Sequence, residues 1–214
     1  MSTDLDPPLK LTSIQKEVLH GTLLGDACLE WSRDRQKARI KFEQSSKHRD
    51  YLFHLYELFR PFVSQAPSVR IRKCSTGVDC ESYVFQTVKH GCFRFFGQQY
   101  LSESSKAVPK LIHRWVTPRS FAYWFMDDGS IKSLESKGVV LNTQGFDSLG
   151  VDRLIEALRS RFNLIASRRR QRDGLQIYIS GKSYDRLVEL LDPYVVESMR
   201  YKIPPKRRTK MPKE

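Results

Sequence analysis

Hydrophobic and polar positions run through two similar series along this chain, about 100 residues apart. The first opens LTSIQKEVLHGTLLGDACLE (11–30) and the second VTPRSFAYWFMDDGSI (116–131). Each is an apolar stretch preceded by a helix-start signal. Thr12 and Gln15 have capping-box spacing. Thr117 precedes Pro118, as an N-cap precedes a proline at the first helical position. Each stretch closes on an aspartate followed by a small residue, Asp26-Ala27 and Asp128-Gly129. A strand-like piece follows each, ARIKFEQSS (38–46) and GVVLNTQGF (138–146), carrying Gln44 and Gln144 at its end. Then come amphipathic helix patterns, with Leu52, Leu55, Tyr56, Phe59 and Phe62 in one and Leu154, Ile155, Leu158 and Phe162 in the other. A further strand and helix close each half: SYVFQTV and CFRFFGQQYL, then LQIYIS and YDRLVELLDPYV, with Gly91 and Gly181 at the turns. The pattern predicts an α+β fold of two pseudo-twofold-related αββαββα halves, 11–104 and 117–203. Residues 105–116 connect them, and 1–10 and 204–214 are expected to be flexible ends.

Alternation within the strands predicts one apolar and one polar face. Arg39 and Lys41 alternate with Ile40 and Phe42, and Arg70 and Arg72 flank Ile71. Arg168, Arg170 and Arg172 share one parity, and Gln176 and Tyr178 oppose Leu175, Ile177 and Ile179. Lys89 adds to the same basic set. Such a face suits phosphate and base-edge contacts. The chain's charge agrees: 37 Lys+Arg against 24 Asp+Glu give +13, which points to a polyanion. No apolar run approaches the roughly 18 residues of a membrane span. The acidic, proline-bearing MSTDLDPPLK is unlike a secretory signal, so the expectation is a protein that is not secreted and has no membrane partner. Cys28, Cys74, Cys80 and Cys92 form no CxxC pair, which predicts free thiols in a reducing compartment.

Asp26 and Asp128 carry the sharpest chemical signal. A carboxylate at a helix C-terminus faces the negative end of the macrodipole and is disfavoured there. Two at corresponding positions of a repeat suggest a divalent cation between them, with Mg²⁺ suited to hard oxygen ligands. Gly21, Gly25 and Ala122 would let the two helices approach closely. Asp127 has no acidic counterpart, because Gly25 holds its place in the first half, and it reads as a turn or capping residue. The five histidines do not repeat and receive no catalytic role.

LHGTLLGDA (19–27) and FAYWFMDDG (121–129) resemble two copies of the motif that names the LAGLIDADG homing endonucleases. With VVLNTQGF, IYISGKSYDRLVELLDPYV and MRYKIP, the chain resembles their single-chain, two-motif, I-SceI-like branch over residues 12–205. The resemblance implies intron-encoded, monomeric enzymes of intron homing. They bind a long double-stranded DNA site with curved antiparallel sheets and hydrolyse one phosphodiester per strand. It implies that Asp26 and Asp128 are catalytic and bind Mg²⁺ or another divalent cation. Lys202 matches a family lysine near the active site, and Lys106 is its expected counterpart. Gln44 and Gln144 are expected to position water or touch the DNA backbone. Two other uses of the fold remain: an intron RNA maturase, and a catalytically silent DNA-binding protein. Both aspartates are present, which favours the nuclease. The expected compartment is a chloroplast or mitochondrion in a eukaryote, and the cytoplasm otherwise.

Overall fold

The computed structural model describes residues 9–73, 77–102, 105–133 and 135–206. Helix α1 (Ser13–Leu24) starts at the Thr12 capping box: the Gln15 amide donates to Thr12 Oγ1 at 3.1 Å, and the Thr12 amide donates to Gln15 Oε1 at 2.9 Å. Strands β1 (Cys28–Trp31) and β2 (Ala38–Ser45), helix α2 (Arg49–Phe59), strands β3 (Ser68–Lys73) and β4 (Asp79–Gln86) and helix α3 (Arg94–Tyr100) complete the first half. A two-residue hairpin, β5 (Leu101–Ser102) with β6 (Ser105–Lys106), and the short helix α4 (Ile112–Trp115) lead into the second. There α5 (Pro118–Asp128) is followed by β7 (Gly129–Ile131), β8 (Val139–Asn142), α6 (Ser148–Phe162), β9 (Ala166–Gln171), β10 (Gly174–Ile179) and α7 (Tyr184–Leu191).

The two four-stranded antiparallel sheets have the same strand order, β1-β2-β4-β3 and β7-β8-β10-β9. The repeat in sequence is therefore a repeat in topology, αββαββα twice. Each middle helix covers its sheet with the expected stripe. Tyr51, Leu52, Leu55, Tyr56 and Phe59 of α2 are buried, and Phe42 stacks between Phe59 and Phe85 at 5.2 and 4.8 Å. Val151, Leu154, Ile155, Leu158 and Phe162 of α6 are buried, and α6 packs on β9 and β10, where Ile177 and Ile179 are buried too. Each such side chain contributes roughly 1.5–3 kcal/mol when fully buried. Helices α1 and α5 differ from these. They are buried around most of their circumference and pack chiefly on each other, so together they form the centre of the molecule.

Two expectations change at the periphery. Pro204 is buried and its carbonyl accepts the Tyr184 hydroxyl at 2.9 Å, so the chain stays anchored through the start of the expected tail. Residues 1–8 and 207–214 of the expected ends lie outside the described residues. Cys28 and Cys92 are free thiols, but Cys80 is disulfide-bonded, which corrects the free-thiol expectation at that position. Cys80 lies on the exposed β3–β4 hairpin, away from the apolar core, while Cys74 lies outside the described residues. Among the described residues no helix is long and apolar enough to cross a membrane.

His20 of α1 is held in an aromatic cage. Its ring stacks on Trp115 at 5.2 Å and meets Phe96 at 5.0 Å, and Nδ1 lies 2.8 Å from the Tyr100 hydroxyl. Burial lowers its pKa from 6.5 to about 4. The folded state thus binds the neutral ring, whereas the unfolded chain takes up a proton below pH 6.5. Stability from this group is complete above that pH and is lost as pH falls toward 4, a change of about 3 kcal/mol. Denaturant titrations across this range should show a pH slope that shrinks by about one proton in His20→Gln.

Candidate active site and nucleic-acid face

The close approach of α1 and α5 fixes the site. A Cβ at Gly21 would lie 2.2 Å from the Ser120 carbonyl oxygen, and one at Gly25 would lie 2.4 Å from Asp127 Cβ. No side chain fits at either position, so glycine there is a packing requirement. Both helices have been set in register by threonine caps, and Thr117 Oγ1 also donates to Glu17 of α1 at 2.7 Å. Their C-terminal ends consequently emerge together, carrying Asp26, Asp127 and Asp128.

The three carboxylates differ. Asp26, just beyond α1, is exposed. Asp128 is half-buried, and burial, then the charge of Asp26, pushes its pKa up to about 7 against the opposing pull of Lys106 and Lys202. Asp127 corrects the reading of it as a capping residue. Its residue surface is partly exposed, but its carboxyl end is enclosed over Gly25. There Oδ2 accepts the Asp26 amide at 3.0 Å and Oδ1 accepts Gln44 Nε2 at 3.2 Å. Burial and the charge of Asp26 raise its pKa well above the usual carboxylate range. The buried Tyr51 hydroxyl faces Asp127, and the buried Trp124 N–H faces Asp128, neither with a hydrogen bond of normal geometry.

The two lysines occupy matching places. Lys106 Nζ donates to the Gly25 carbonyl, and Lys202 Nζ donates to the carbonyls of Met126 and, at 2.9 Å, Asp127. Each ammonium thus sits on the last carbonyls before its half's motif aspartate, where cations are favoured. Lys106 shares a cleft of about 260 Å³ with Gly25, Asp128 and Gln144. Lys202 shares another, of about 430 Å³, with Asp127, Asn142 and Tyr201.

The glutamines do not match. Gln44 lies on the buried parity of β2, and its Nε2 donates to Asp26 Oδ2 at 2.9 Å as well as to Asp127. Strand β8 ends at Asn142, so Gln144 lies in the following turn and its amide is 3.5 Å from Asp173. The buried residue in register with Val139 and Leu141 is Thr143, whose hydroxyl donates to the Leu175 carbonyl at 2.7 Å. His48 and Tyr201, neither singled out by sequence, also reach the Asp26 side. His48 Nδ1 is 3.3 Å from Gln44 Oε1, and Nε2 is 2.8 Å from the Tyr201 hydroxyl.

Strand register decides which basic residues face outward, because directly paired residues share a face. Arg39, Lys41 and Glu43 of β2 share the side away from the helices with Arg70 and Arg72 of β3, through Val84, Ser82 and Cys80 of β4. Lys89 joins Arg39, Lys41 and Arg70 along a groove of about 470 Å³. Glu43 organises this face, with Lys41 at 2.7 Å, Arg72 at 3.3 Å and Arg70 at 3.6 Å. The second sheet differs from the sequence expectation. Arg168 pairs with Ile177 and Arg170 with Leu175, so both lie on the helix side, and Arg168 Nε donates to Asp152 of α6 at 2.6 Å. Arg172 is in the β9–β10 turn. The outward row is Ser167, Arg169 and Gln171 beside Gln176 and Tyr178. Gln176 donates to Asn142 at 2.7 Å, and the Gln171 oxygen, once the amide is turned to suit its neighbours, accepts Arg169 Nε at 2.9 Å. The two-residue turn makes odd positions of β9 share a face with even positions of β10, a shift that parity within β9 alone does not reveal.

The donor set at the helix ends fits a divalent cation. Asp26 and Asp128 supply hard oxygens, and positive charge would offset both the burial and, second to it, the Asp26 repulsion that raise the Asp128 pKa. Among the described residues no three His, Cys, Asp or Glu side chains converge as a metal group.

Residues 16–187 match the LAGLIDADG DNA endonuclease family. A relative from Wickerhamomyces canadensis, named probable intron-encoded endonuclease 1, is 33% identical over 198 residues, spanning 90% of this chain and 85% of that one. The cytochrome b mRNA maturase bI2 of Debaryomyces hansenii is 28% identical over 192 residues, 87% and 72% of the two chains. Among solved structures, the homing endonuclease I-WcaI bound to its DNA recognition sequence superimposes with a TM-score of 0.87 at 29% identity, covering 95% of this chain and 94% of the other.

The contact at Gly25 has a direct test. Gly25→Ala should cost about 1–3 kcal/mol in denaturant unfolding, since the helices have no room to yield. Combining it with Asp127→Gly, which removes the opposing Cβ, should give a smaller loss than the sum of the single changes.

Proposed function

Because the chain belongs to the LAGLIDADG DNA endonuclease family, we propose that it is a site-specific homing endonuclease. In this reading it hydrolyses one phosphodiester in each strand of a long duplex site. The observation that carries it is the twin arrangement at the helix ends, one motif aspartate and one lysine per half, between two outward basic sheet faces. Two strand cuts need two reacting centres, and a single chain supplies both, so the active species is a monomer.

Hydrolysis needs a water to attack phosphorus, neutralised phosphate charge and a stabilised leaving oxygen. Asp26 and Asp128 would hold Mg²⁺ or a similar divalent cation, which when bound acidifies water and offsets phosphate charge. The lysines act from beside them. Lys202 uses two N–H groups on the Met126 and Asp127 carbonyls and Lys106 uses one on Gly25, so each ammonium keeps at least one donor for a phosphate oxygen. Gln44 fixes the direction of the Asp26 carboxylate. Arg39, Lys41, Arg70, Arg72 and Lys89 on one sheet, and Arg169, Gln171, Gln176 and Tyr178 on the other, would meet phosphates and base edges. The maturase named among the relatives supports a second reading, in which the same faces bind intron RNA.

Incubation with duplex carrying the intron insertion sequence and Mg²⁺ should yield cuts in both strands, read by sequencing the ends. Asp26→Asn and Asp128→Asn should each stop turnover and leave duplex binding within about tenfold, because the sheets that carry affinity are untouched. Binding without any duplex cleavage would support the silent binder, and binding to the intron RNA alone would support the maturase. Arg169→Ala should weaken duplex binding by about 1–3 kcal/mol. Arg168→Ala, on the helix side, should weaken it less. Affinity should fall by orders of magnitude between about 50 and 200 mM salt.

A further inference from the structure

One hydrogen-bonded chain at the site has a single self-consistent polarity. Gln44 Nε2 faces two carboxylate oxygens, Asp26 Oδ2 at 2.9 Å and Asp127 Oδ1 at 3.2 Å. The reversed amide would set an oxygen against Asp26 Oδ2, where the carboxylate has no donor to offer it. In the observed orientation Gln44 Oε1 needs a donor, and His48 Nδ1 is 3.3 Å away. A neutral imidazole that carries its proton on Nδ1 must accept at Nε2, and the Tyr201 hydroxyl lies 2.8 Å from that atom. The Tyr201 and His48 rings also stack, 6.3 Å between centroids and 28° between planes. Every member then has one role: Tyr201 O–H to His48, His48 Nδ1–H to Gln44, Gln44 N–H to Asp26 and Asp127.

We propose that His48 and Tyr201 are positioning residues, which hold the Gln44 amide so that its nitrogen fixes the Asp26 carboxylate. The chain crosses between halves twice. Tyr201 belongs to the 3-10 turn Glu197–Lys202 of the second half, His48 and Gln44 to the first, and Asp127 to the second again. Burial, then the charge of Lys202, disfavours protonated His48 against the opposing pull of Asp26, so the neutral ring takes its Tyr201 partner as a donor. Among the described residues the second half has no such chain, since Thr143 fills the place of Gln44 and bonds the Leu175 carbonyl. Loosening it should therefore disturb one of the two reacting centres.

The inference rests on the endonuclease reading for its effect on cleavage, but its geometry is testable without it. Long-range ¹⁵N–¹H spectra of the full-length, metal-free protein should show His48 as the Nδ1–H tautomer, with Tyr201→Phe shifting it toward the Nε2–H form favoured in water. With each strand of the duplex end-labelled, His48→Ala should slow one cut by about 10-fold, the low end of the range for direct partners of metal ligands, because it acts through Gln44. The other cut should stay within about twofold, so nicked DNA accumulates. His48→Asn, which returns an N–H near the Nδ1 position, should recover most of the loss. A wild-type Nε2–H tautomer overturns the proposal. So does equal slowing of both strands by His48→Ala, or of neither. If the wild type cuts no duplex, the endonuclease reading falls, and the tautomer alone decides how Gln44 is held.

Discussion

The structure depends on how closely α1 and α5 approach. At Gly21 and Gly25 the facing helix comes within a distance that no Cβ tolerates. That contact buries both helices almost all round and makes each half's core a wing of one central pair. It also sends two helix C-termini, with their negative dipole ends, to one place, where three aspartates follow. Such a concentration of negative character needs positive partners. Lys106 and Lys202 answer it by seating on the terminal carbonyls. The site is thus a consequence of packing: the helices meet first, and the chemistry occupies the place where they end.

Much of this was legible in the sequence because it is local. The capping boxes at Thr12 and Thr117, the apolar stripes of α2 and α6 and the repeat itself depend on residues within a few positions of one another. The motif aspartates could be placed because the repeat presents them twice, and Lys202 by the resemblance of MRYKIP to the family, with Lys106 as its counterpart. What could not be read depends on pairing between distant segments. Arg168 and Arg170 look outward by parity within β9, but the β9–β10 turn reverses the relation to the neighbouring strand. Gln144 matches Gln44 in the sequence repeat, but β8 ends two residues before it, whereas β2 runs one residue past Gln44. Asp127 and Tyr201 carry no local signal, since Asp127 lies 83 residues from Gln44 and Tyr201 lies 153 residues from His48, while His48, only four residues from Gln44, gains its meaning from that distant ring. Gly25 opposite an acid in the second motif was the one available hint, and only the packing gives it meaning.

The halves share a topology but divide their work differently. In the first half a central acid, Glu43, gathers three basic side chains into a fixed array. In the second, the outward row is made of Arg169 with amides and a tyrosine, which present directional donors and acceptors. One surface is thus dominated by charge and the other by hydrogen-bond geometry. A fold with two similar arms presents two chemically different outward faces.

The Asp127 carboxyl projecting into the hollow over Gly25 has a consequence for assembly. It acts as a knob on one half and a hole on the other. Two copies of the first half would meet hole to hole and leave a void at the centre. Two copies of the second would drive knob against knob, with two carboxyl groups in one enclosed space. The unlike halves are complementary at this point, and the tether holds in one chain two surfaces shaped for each other.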